Sequence, residues 1–233
     1  MADKEVALII GAGEGLSASL ARLCATQDMD VAVAARNPAK LENLCAETGA
    51  KAYACDAVDG ASVDALFDAV VADLGVPNLV VFNPSARVRG PITEVDRDAA
   101  KDAMLITSWG AFVVAQKAAA LMLERGSGSI LFTGASAGVK GYPNSSVFAM
   151  GKFGLRGLAQ ALARELHPQN IHIGHFVIDG GIRKAAGDPR AADRGEDGML
   201  DPDAIAETYL HFHRQHRSSW SWEIELRPWV EKF

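Results

Sequence analysis

Short apolar runs alternate with longer amphipathic segments along most of this chain, and that alternation constrains its fold more than any other feature. Short apolar runs bounded by Gly, Asn, Asp or Ser predict buried strands, and apolar residues at helical spacing predict helices between them. Strands alternating with helices form right-handed βαβ units, so the pattern predicts an α/β fold, a doubly wound parallel sheet of about seven strands with helices on both faces. The predicted strands are Val6–Ile10, Val31–Ala35, Lys51–Cys55, Leu79–Phe82, Ile130–Thr133, His172–Ile178 and an edge strand, Trp222–Leu226.

Several helix boundaries are also marked in the sequence. Asn37 followed by Pro38 is typical of a cap and a first helical position, and Ser62 is a candidate cap for the next amphipathic helix. The segment 183–199 is rich in Gly, Asp, Arg and Ala with weak periodicity, which predicts a mobile loop. No repeat or interdomain linker is visible, so residues 1–233 are expected to form one domain. Two further predicted helices are Ala18–Ala25 and Pro202–Gln215.

Composition limits the class of protein. A chain of 233 residues, 49% hydrophobic, is long enough for the full core of one domain. The net charge of −6 without a block of like charges gives no sign of a nucleic-acid or membrane-surface partner. No uninterrupted apolar run reaches about 18 residues, and the acidic N-terminus differs from a secretory signal. Cys24, Cys45 and Cys55 lack metal-site spacing and fit free thiols, so a cytoplasmic location without a metal site is expected.

The first predicted strand runs directly into the glycine-rich segment 11–17, Gly-Ala-Gly-Glu-Gly-Leu-Ser, which is followed by a helix. Gly11, Gly13 and Gly15 permit a tight turn and close backbone approach, and these glycines and Leu16 are the candidate cofactor-binding residues of the loop. Free N–H groups at a helix N-terminus attract phosphate. After a first strand in a βαβ series, this segment predicts a dinucleotide-binding loop.

With these motifs the chain resembles the short-chain dehydrogenase/reductase family across essentially its whole length. That family opens with Thr-Gly-x-x-x-Gly-x-Gly, and here the corresponding positions are Ile10, Gly11, Gly15 and Ser17. The resemblance implies a Rossmann-type domain that binds a nicotinamide dinucleotide. It further implies that Asp56 holds the adenine, that the segment beginning at Asn83 (Asn-Pro-Ser-Ala) replaces the usual Asn-Asn-Ala-Gly, and that the backbone near Ile182 meets the nicotinamide amide.

The end of the second predicted strand bears on the choice of dinucleotide. An acidic side chain there would bind the ribose diol and repel a 2′-phosphate, but Arg36 offers a guanidinium suited to forked phosphate contacts. NADP(H) is therefore favoured over NAD. Glu14 argues in the other direction, because some NADP-binding relatives carry a basic residue at this loop position.

The chain departs from the family at its catalytic positions. The family reduces carbonyls with a tyrosine four residues before a lysine, and the lysine cation makes the phenol more acidic than its usual pKa of about 10. Here the two positions are Phe148 and Lys152, while the family's serine and asparagine correspond to Ala135 and Thr107. Of the four catalytic residue types only Lys152 remains, so the standard proton transfer cannot operate.

Three interpretations stay open. Proton donors come from shifted positions, with Tyr142 preferred as the only phenol between the fifth strand and Lys152, and with Ser136 orienting the carbonyl. Alternatively, reduction of a C=C bond, or a proton taken from water, makes a protein acid unnecessary. In the third interpretation the chain is a catalytically inactive NADP(H)-binding sensor or partner subunit, in which Lys152 serves only the nicotinamide ribose. The expected substrate is a small molecule, a carbonyl compound or activated alkene, whose identity the sequence leaves open.

Two aromatic segments predict subunit contacts. In the family the fourth helix commonly forms the dimer face, and here it carries Trp109 and Phe112. The C-terminal segment is expected to present Trp220, Trp222, Ile224 and Leu226 on one strand face. A homodimer or homotetramer is therefore expected.

Overall fold

The computed structural model describes residues 4–184 and 187–231, and its centre is a seven-stranded sheet in which every strand pair is parallel. The strand order is β3-β2-β1-β4-β5-β6-β7. This confirms the predicted Rossmann-type α/β fold, and the ends of the strands differ from the predicted ones by at most two residues. The strands are β1 (Val6–Ile10), β2 (Asp30–Ala35), β3 (Lys51–Ala54), β4 (Leu79–Phe82), β5 (Gly128–Thr133), β6 (Ile171–Ile178) and β7 (Glu223–Leu226).

Helices cover both faces of this sheet. Alternate residues of a strand point to opposite faces, and in β1 both sets are apolar: Leu8 belongs to one buried cluster and Ile9 to the other. One cluster includes residues of α3, α5 and α6, and the other residues of α1, α2 and α8. The helices are α1 (Leu16–Thr26), α2 (Glu42–Thr48), α3 (Gly60–Leu74), α4 (Arg97–Met104), α5 (Gly110–Arg125), α6 (Ser146–Leu166), α7 (Arg190–Arg194) and α8 (Pro202–His213), with a π-helical turn, Leu105–Trp109, between α4 and α5.

Of the two predicted caps, one is confirmed and one is wrong. The side chain of Asn37 accepts a hydrogen bond from the backbone N–H of Ala39 and caps the short 3-10 helix Pro38–Leu41. Ser62 does not cap α3, because the carboxylate of Asp59 accepts from the N–H of Ala61 and the helix begins earlier, at Gly60. Asp and Ser are both good caps, so local sequence alone did not separate them.

The segment 183–199 is more structured than its sequence predicts, although residues 185 and 186 lie outside the described part. It contains α7, and its two ends are joined by a parallel bridge between Ile182 and Leu200. The carboxylate of Asp188 accepts from the N–H of Lys184 and pairs with the Arg190 guanidinium at 2.5 Å. Because α7 has only five residues, it is too short to produce a detectable helical period.

The prediction of a single apolar strand face near the C-terminus is wrong for Trp222. Ile224 and Leu226 pack with the cluster beneath α1 and α8, whereas Trp222 packs with the opposite cluster. The strand begins at Glu223, so Trp222 lies outside the regular alternation. Its ring lies instead against the Arg156 guanidinium, with Cζ 5.4 Å from the ring centroid.

The helical segment Arg97–Arg125 is long and apolar enough to cross a membrane by length and composition alone. The sequence prediction considered only uninterrupted apolar runs and did not identify this segment. One such helix is weak evidence, because core helices pass the same test, and Val114, Ala118 and Met122 of this segment are buried in the core.

The strand order creates a switch point between β1 and β4. From β1 the chain continues to β2 and β3 on one side, and from β4 to β5, β6 and β7 on the other. In open sheets of this kind the loops at the carboxyl ends of the two central strands diverge and leave a crevice, which is where ligands bind. Here the crevice lies between the loop that follows Ile10 and the loop that follows Phe82.

Candidate dinucleotide and substrate site

The glycine-rich loop, residues 11–17, makes the tight turn that its glycines predict. Gly11 has φ 78° and donates its N–H to the carbonyl of Ala34, and a Cβ there would lie 2.7 Å from Pro84. Gly15, with φ 82°, is the N-cap of α1, and no side chain caps this helix. A Cβ at Gly13 would meet nothing within 4 Å, so its backbone is open to a ligand. Uncapped N–H groups beside open backbone are suited to a pyrophosphate.

Ser17 joins the two loops of the crevice. Its Oγ donates to the carbonyl of Gly11 at 3.3 Å and accepts from Nδ2 of Asn83 at 2.7 Å, and the residue is 1% exposed. The family has glycine here, and no local sequence pattern indicated that a serine hydroxyl would contact both loops. The hydroxyl fixes the first loop against the loop after β4.

The other predicted dinucleotide contacts lie along the same edge. Arg36 directly follows β2 and is exposed, and Asp56 follows β3, where its backbone N–H donates to Oγ of Ser62. The side chain of Leu16 is buried, so only its backbone can face a ligand. Ile182 is half-buried and held by the bridge to Leu200. Arg36, Asp56 and Ile182 therefore follow the carboxyl ends of β2, β3 and β6, at the same edge of the sheet as the glycine loop.

Lys152 is buried in α6 and its ammonium is held by main chain. Nζ donates to the carbonyl of Thr133 at the end of β5, with 2.6 Å between nitrogen and oxygen. Burial, and to a lesser degree the positive charge of Arg87, lowers the pKa of Lys152 to about 7. The lysine therefore exchanges its proton near neutral pH.

The positions that hold the family's catalytic tyrosine, serine and asparagine are occupied here by buried residues. Phe148 and Ala135, which replace tyrosine and serine, are buried in one small cluster with Ala137. Thr107, at the asparagine position, is 1% exposed in the π-helical turn, and its Oγ1 accepts from the N–H of Ala86 at 3.3 Å. π-Helical turns inside helices often occur at functional sites.

The shifted donor candidates, Tyr142 and Ser136, are in direct contact. The Tyr142 hydroxyl donates to Oγ of Ser136 at 3.0 Å, and Ser136 directly follows Ala135 of the Phe148 cluster. Lys140, which the sequence analysis missed, lies with Nζ 5.6 Å from the Tyr142 ring centroid and 3.4 Å from a carboxylate oxygen of Asp179. Its contact with Tyr142, and to a lesser degree the charge of Asp179, raises the pKa of Lys140.

Arg87 was also missed. Its guanidinium lies over the Phe148 ring with Cζ 4.2 Å from the centroid, and Nζ of Lys152 is 5.9 Å from the same centroid. Its only sequence signal was its position, four residues after Asn83 in a loop that follows a central strand. The guanidinium of Arg87 and the amine of Lys152 therefore both lie near the ring that replaces the family's phenol.

No group of three or more His, Cys, Asp or Glu side chains suited to a metal ion occurs among residues 4–184 and 187–231. His213 contacts Oγ of Ser129 at 2.8 Å and His216 contacts Oγ of Ser218 at 2.8 Å, so the two point to different partners.

A parallel sheet with a glycine loop at its switch point defines a dinucleotide-binding α/β protein. The family model described as short chain dehydrogenase matches residues 5–186. The chain belongs to the short-chain dehydrogenase/reductase family, whose class is the NAD(P)-dependent oxidoreductases.

Known proteins resemble it over most of their length. The chain is 29% identical over 176 residues to D-threitol dehydrogenase of Mycolicibacterium smegmatis, which covers 73% of this chain and 68% of that protein. The crystal structure of a short-chain dehydrogenase from Rhodopseudomonas palustris has a TM-score of 0.84 and 33% identity, covering 97% of this chain and 99% of that one.

Two more distant structures share the fold and differ in coenzyme. A metagenomic short-chain oxidoreductase in complex with NADP has a TM-score of 0.84 at 22% identity, covering 98% of this chain and 99% of that one. NAD+-bound xylitol dehydrogenase has a TM-score of 0.86 at 21% identity, covering 97% and 98%. The coenzyme preference of this chain therefore depends on its own residues.

Proposed function

We propose that this chain, folded as one domain, transfers hydride between NADP(H) and a small carbonyl compound or activated alkene. The observation that carries the proposal is the contact between Asn83 and Ser17, which joins both loops of the crevice beside open backbone at Gly13. A bound nicotinamide would supply or accept the hydride. The uncapped N-terminus of α1 would hold the pyrophosphate, Asp56 the adenine, and Lys152 and the backbone of Ile182 the nicotinamide riboside.

NADP(H) is the proposed coenzyme because of Arg36. Its exposed guanidinium follows β2, where a 2′-phosphate would lie, and no ion pair holds it among the described residues. A planar guanidinium can bind phosphate through two parallel hydrogen bonds. NAD remains the competing coenzyme, and direct titration with NADPH and NADH, followed by nicotinamide fluorescence, separates the two.

For carbonyl reduction, Tyr142 is the proposed proton donor. Hydride addition makes an alkoxide, so an acid must lie beside the oxygen. The support is the contact of the Tyr142 hydroxyl with Ser136, together with the nearby Lys140 ammonium. In this scheme Ser136 orients the carbonyl, the Tyr142 oxygen gives its proton to the alkoxide, and Lys140 stabilises the phenolate that remains.

Reduction of a C=C bond conjugated to a carbonyl would instead need no phenol at position 148, so Phe148 would be compatible with activity. The experiment is a single-turnover assay with ketones, aldehydes and enones after NADPH binding has been measured. Turnover of any class supports the proposed function. Coenzyme binding without turnover, with activity gained only in an F148Y/A135S double variant, would instead support the inactive sensor or partner subunit.

We further propose a cytoplasmic homo-oligomer, a dimer or tetramer, assembled through the α4–α5 surface. Trp109 and Phe112 are 48% and 41% exposed, and their rings stack at 5.5 Å. Large exposed apolar groups gathered on one helix face are typical of protein contacts. The same surface depression beside Trp109 and Phe112 is lined by Lys101, Met104, Leu105 and Ser108.

A further inference from the structure

Arginines from two separate loops lie near the Phe148 ring and the turn at Gly181. Arg87 lies over this ring, and Arg89 follows it two residues later in the same loop. Arg194 of α7 lies against the turn after β6: a Cβ added to Gly181 would lie 3.2 Å from its Cζ. The turn at Gly181 directly precedes Ile182, the proposed neighbour of the nicotinamide amide. The Arg87 guanidinium thus lies at the ring that replaces the family's phenol, and the Arg194 guanidinium lies beside the turn proposed to meet the nicotinamide.

These arginines differ from their neighbours in lacking acidic partners. In the same segment Arg190 pairs with Asp188, and Arg183 pairs with Asp201. Within residues 4–184 and 187–231, no carboxylate lies within 4.0 Å of the side-chain nitrogens of Arg87, Arg89, Arg194 or Lys152. The chain as a whole has 29 acidic and 23 basic residues, so carboxylates are not scarce. Unneutralised cations concentrated in one place favour an anionic ligand.

The cations also act on one another. Although Arg87 is exposed as a residue, partial desolvation lowers the pKa of its guanidinium, and the charges of Arg89 and Arg194 lower it further. Arg87 in turn disfavours the charged form of Lys152. A bound anion would relieve this repulsion, because opposite charges nearby stabilise the charged forms.

We propose that the substrate carries an oxyanion, a carboxylate or a phosphate, bound by Arg87 and Arg194 with Arg89 at the rim. Guanidinium groups bind either oxyanion through paired hydrogen bonds. The Phe148 ring supports the Arg87 guanidinium by a cation–π contact, which leaves its planar N–H donors available to a ligand. Arg87 thereby takes a binding role at the position from which the phenol is missing. This inference rests on the proposed function in one respect, namely that the bound anion is the substrate. Anion binding itself can be measured without turnover.

The experiment compares charged and neutral forms of the same carbonyl compound. Acetoacetate is paired with methyl acetoacetate, and dihydroxyacetone phosphate with dihydroxyacetone, so that the two pairs separate a carboxylate from a phosphate. Binding is measured by calorimetry and by the shift in melting temperature, with and without NADPH. At least one charged probe should bind about tenfold more tightly than its neutral partner, as expected for charge-assisted hydrogen bonds.

Arg87→Gln and Arg194→Ala should each remove most of that preference and leave NADPH affinity within about twofold, on the scale where 1.4 kcal/mol is tenfold. Arg164→Ala is the matched control, because Arg164 lies on α6 and donates to the carbonyl of Gln160. Equal affinities within both pairs, or an unchanged preference in both variants, would overturn the inference while leaving the coenzyme site intact. Anion preference without any NADPH binding would instead overturn the proposed function and retain the anion site.

Discussion

The side-chain amide of Asn83 donates to Oγ of Ser17 across 2.7 Å and joins segments 66 residues apart in sequence. Ser17→Ala leaves this half-buried amide and the carbonyl of Gly11 without the Ser17 hydroxyl, which should cost about 1 kcal/mol or more of folding stability. NADPH affinity should fall as well, because the loop loses its support. Urea denaturation and fluorescence titration measure both effects.

Ser19→Ala is the control for that variant, since Ser19 is also buried in α1 but lies outside the crevice contacts. If Ser17→Ala and Ser19→Ala behave alike in both measurements, the proposed support of the dinucleotide loop is wrong.

Arg36→Ala should weaken NADPH about tenfold or more and NADH less than twofold. Loss of charge-assisted hydrogen bonds to the 2′-phosphate accounts for the difference, and NADH lacks that group. Arg22→Ala is the control, because it also removes an arginine but one whose guanidinium pairs with Glu47 and is not proposed to bind coenzyme. An equal loss for both coenzymes would reject the phosphate contact.

Tyr142→Phe should lower kcat for a carbonyl substrate by about 100-fold or more, the usual range for loss of a general acid, with coenzyme Kd unchanged. Ser136→Ala should also lower kcat, and the double variant should lose less than the product of the two, because the hydroxyls contact each other. Tyr53→Phe is the control: its hydroxyl bonds to Asp73 in a different part of the fold. Full activity of Tyr142→Phe would exclude this tyrosine as the acid.

The buried Lys152 should make stability depend on pH. The unfolded chain keeps the lysine proton up to about pH 10.4, whereas the folded protein releases it near 7. Between these values the unfolded state binds more protons, so this group makes the free energy of unfolding rise with pH, by up to about 1.4 kcal/mol per unit. Below pH 7 its contribution is constant and unfavourable.

Lys152→Met should therefore unfold at a higher urea concentration than the wild type at pH 7, and the difference should shrink as pH rises toward 10. Denaturation curves for both proteins at pH 6, 7, 8 and 9 provide the measurement. Parallel dependence of the two proteins on pH would show that the lysine keeps an ordinary pKa in the fold.

Phe112→Glu should convert the proposed oligomer to monomers, since it places a charge in the centre of the Trp109 surface. Light scattering coupled to size exclusion measures the mass. Ile92→Glu, which changes a residue 76% exposed elsewhere, should leave the mass unchanged. A monomeric wild type, or an oligomeric Phe112→Glu, would contradict the assembly surface.

Much of the fold could be predicted because it depends on local patterns. Strands buried on both faces appear as continuous apolar runs, as in Leu79–Phe82, and all four of these residues are 0% exposed. The glycines of the first loop could be interpreted from sequence because a tight turn needs backbone conformations that favour glycine, and Gly11 does adopt positive φ. Boundaries failed where two signals competed, as at Asp59 and Ser62, or where an element was too short for a period, as in α7.

The sequence by itself determined the parallel α/β fold, the dinucleotide loop and the loss of the family's phenol, because each follows from residue types at fixed local spacing. Only the tertiary structure placed Arg87 on Phe148 and joined Asn83 to Ser17. The contact of Tyr142 with Ser136 also required the folded path of the loop after β5. Side chains from different loops meet only when strand order and packing bring the carboxyl ends of separate strands together. Sequence periodicity indicates which face of an element is buried, but it does not indicate which side chain of another loop will contact a given residue.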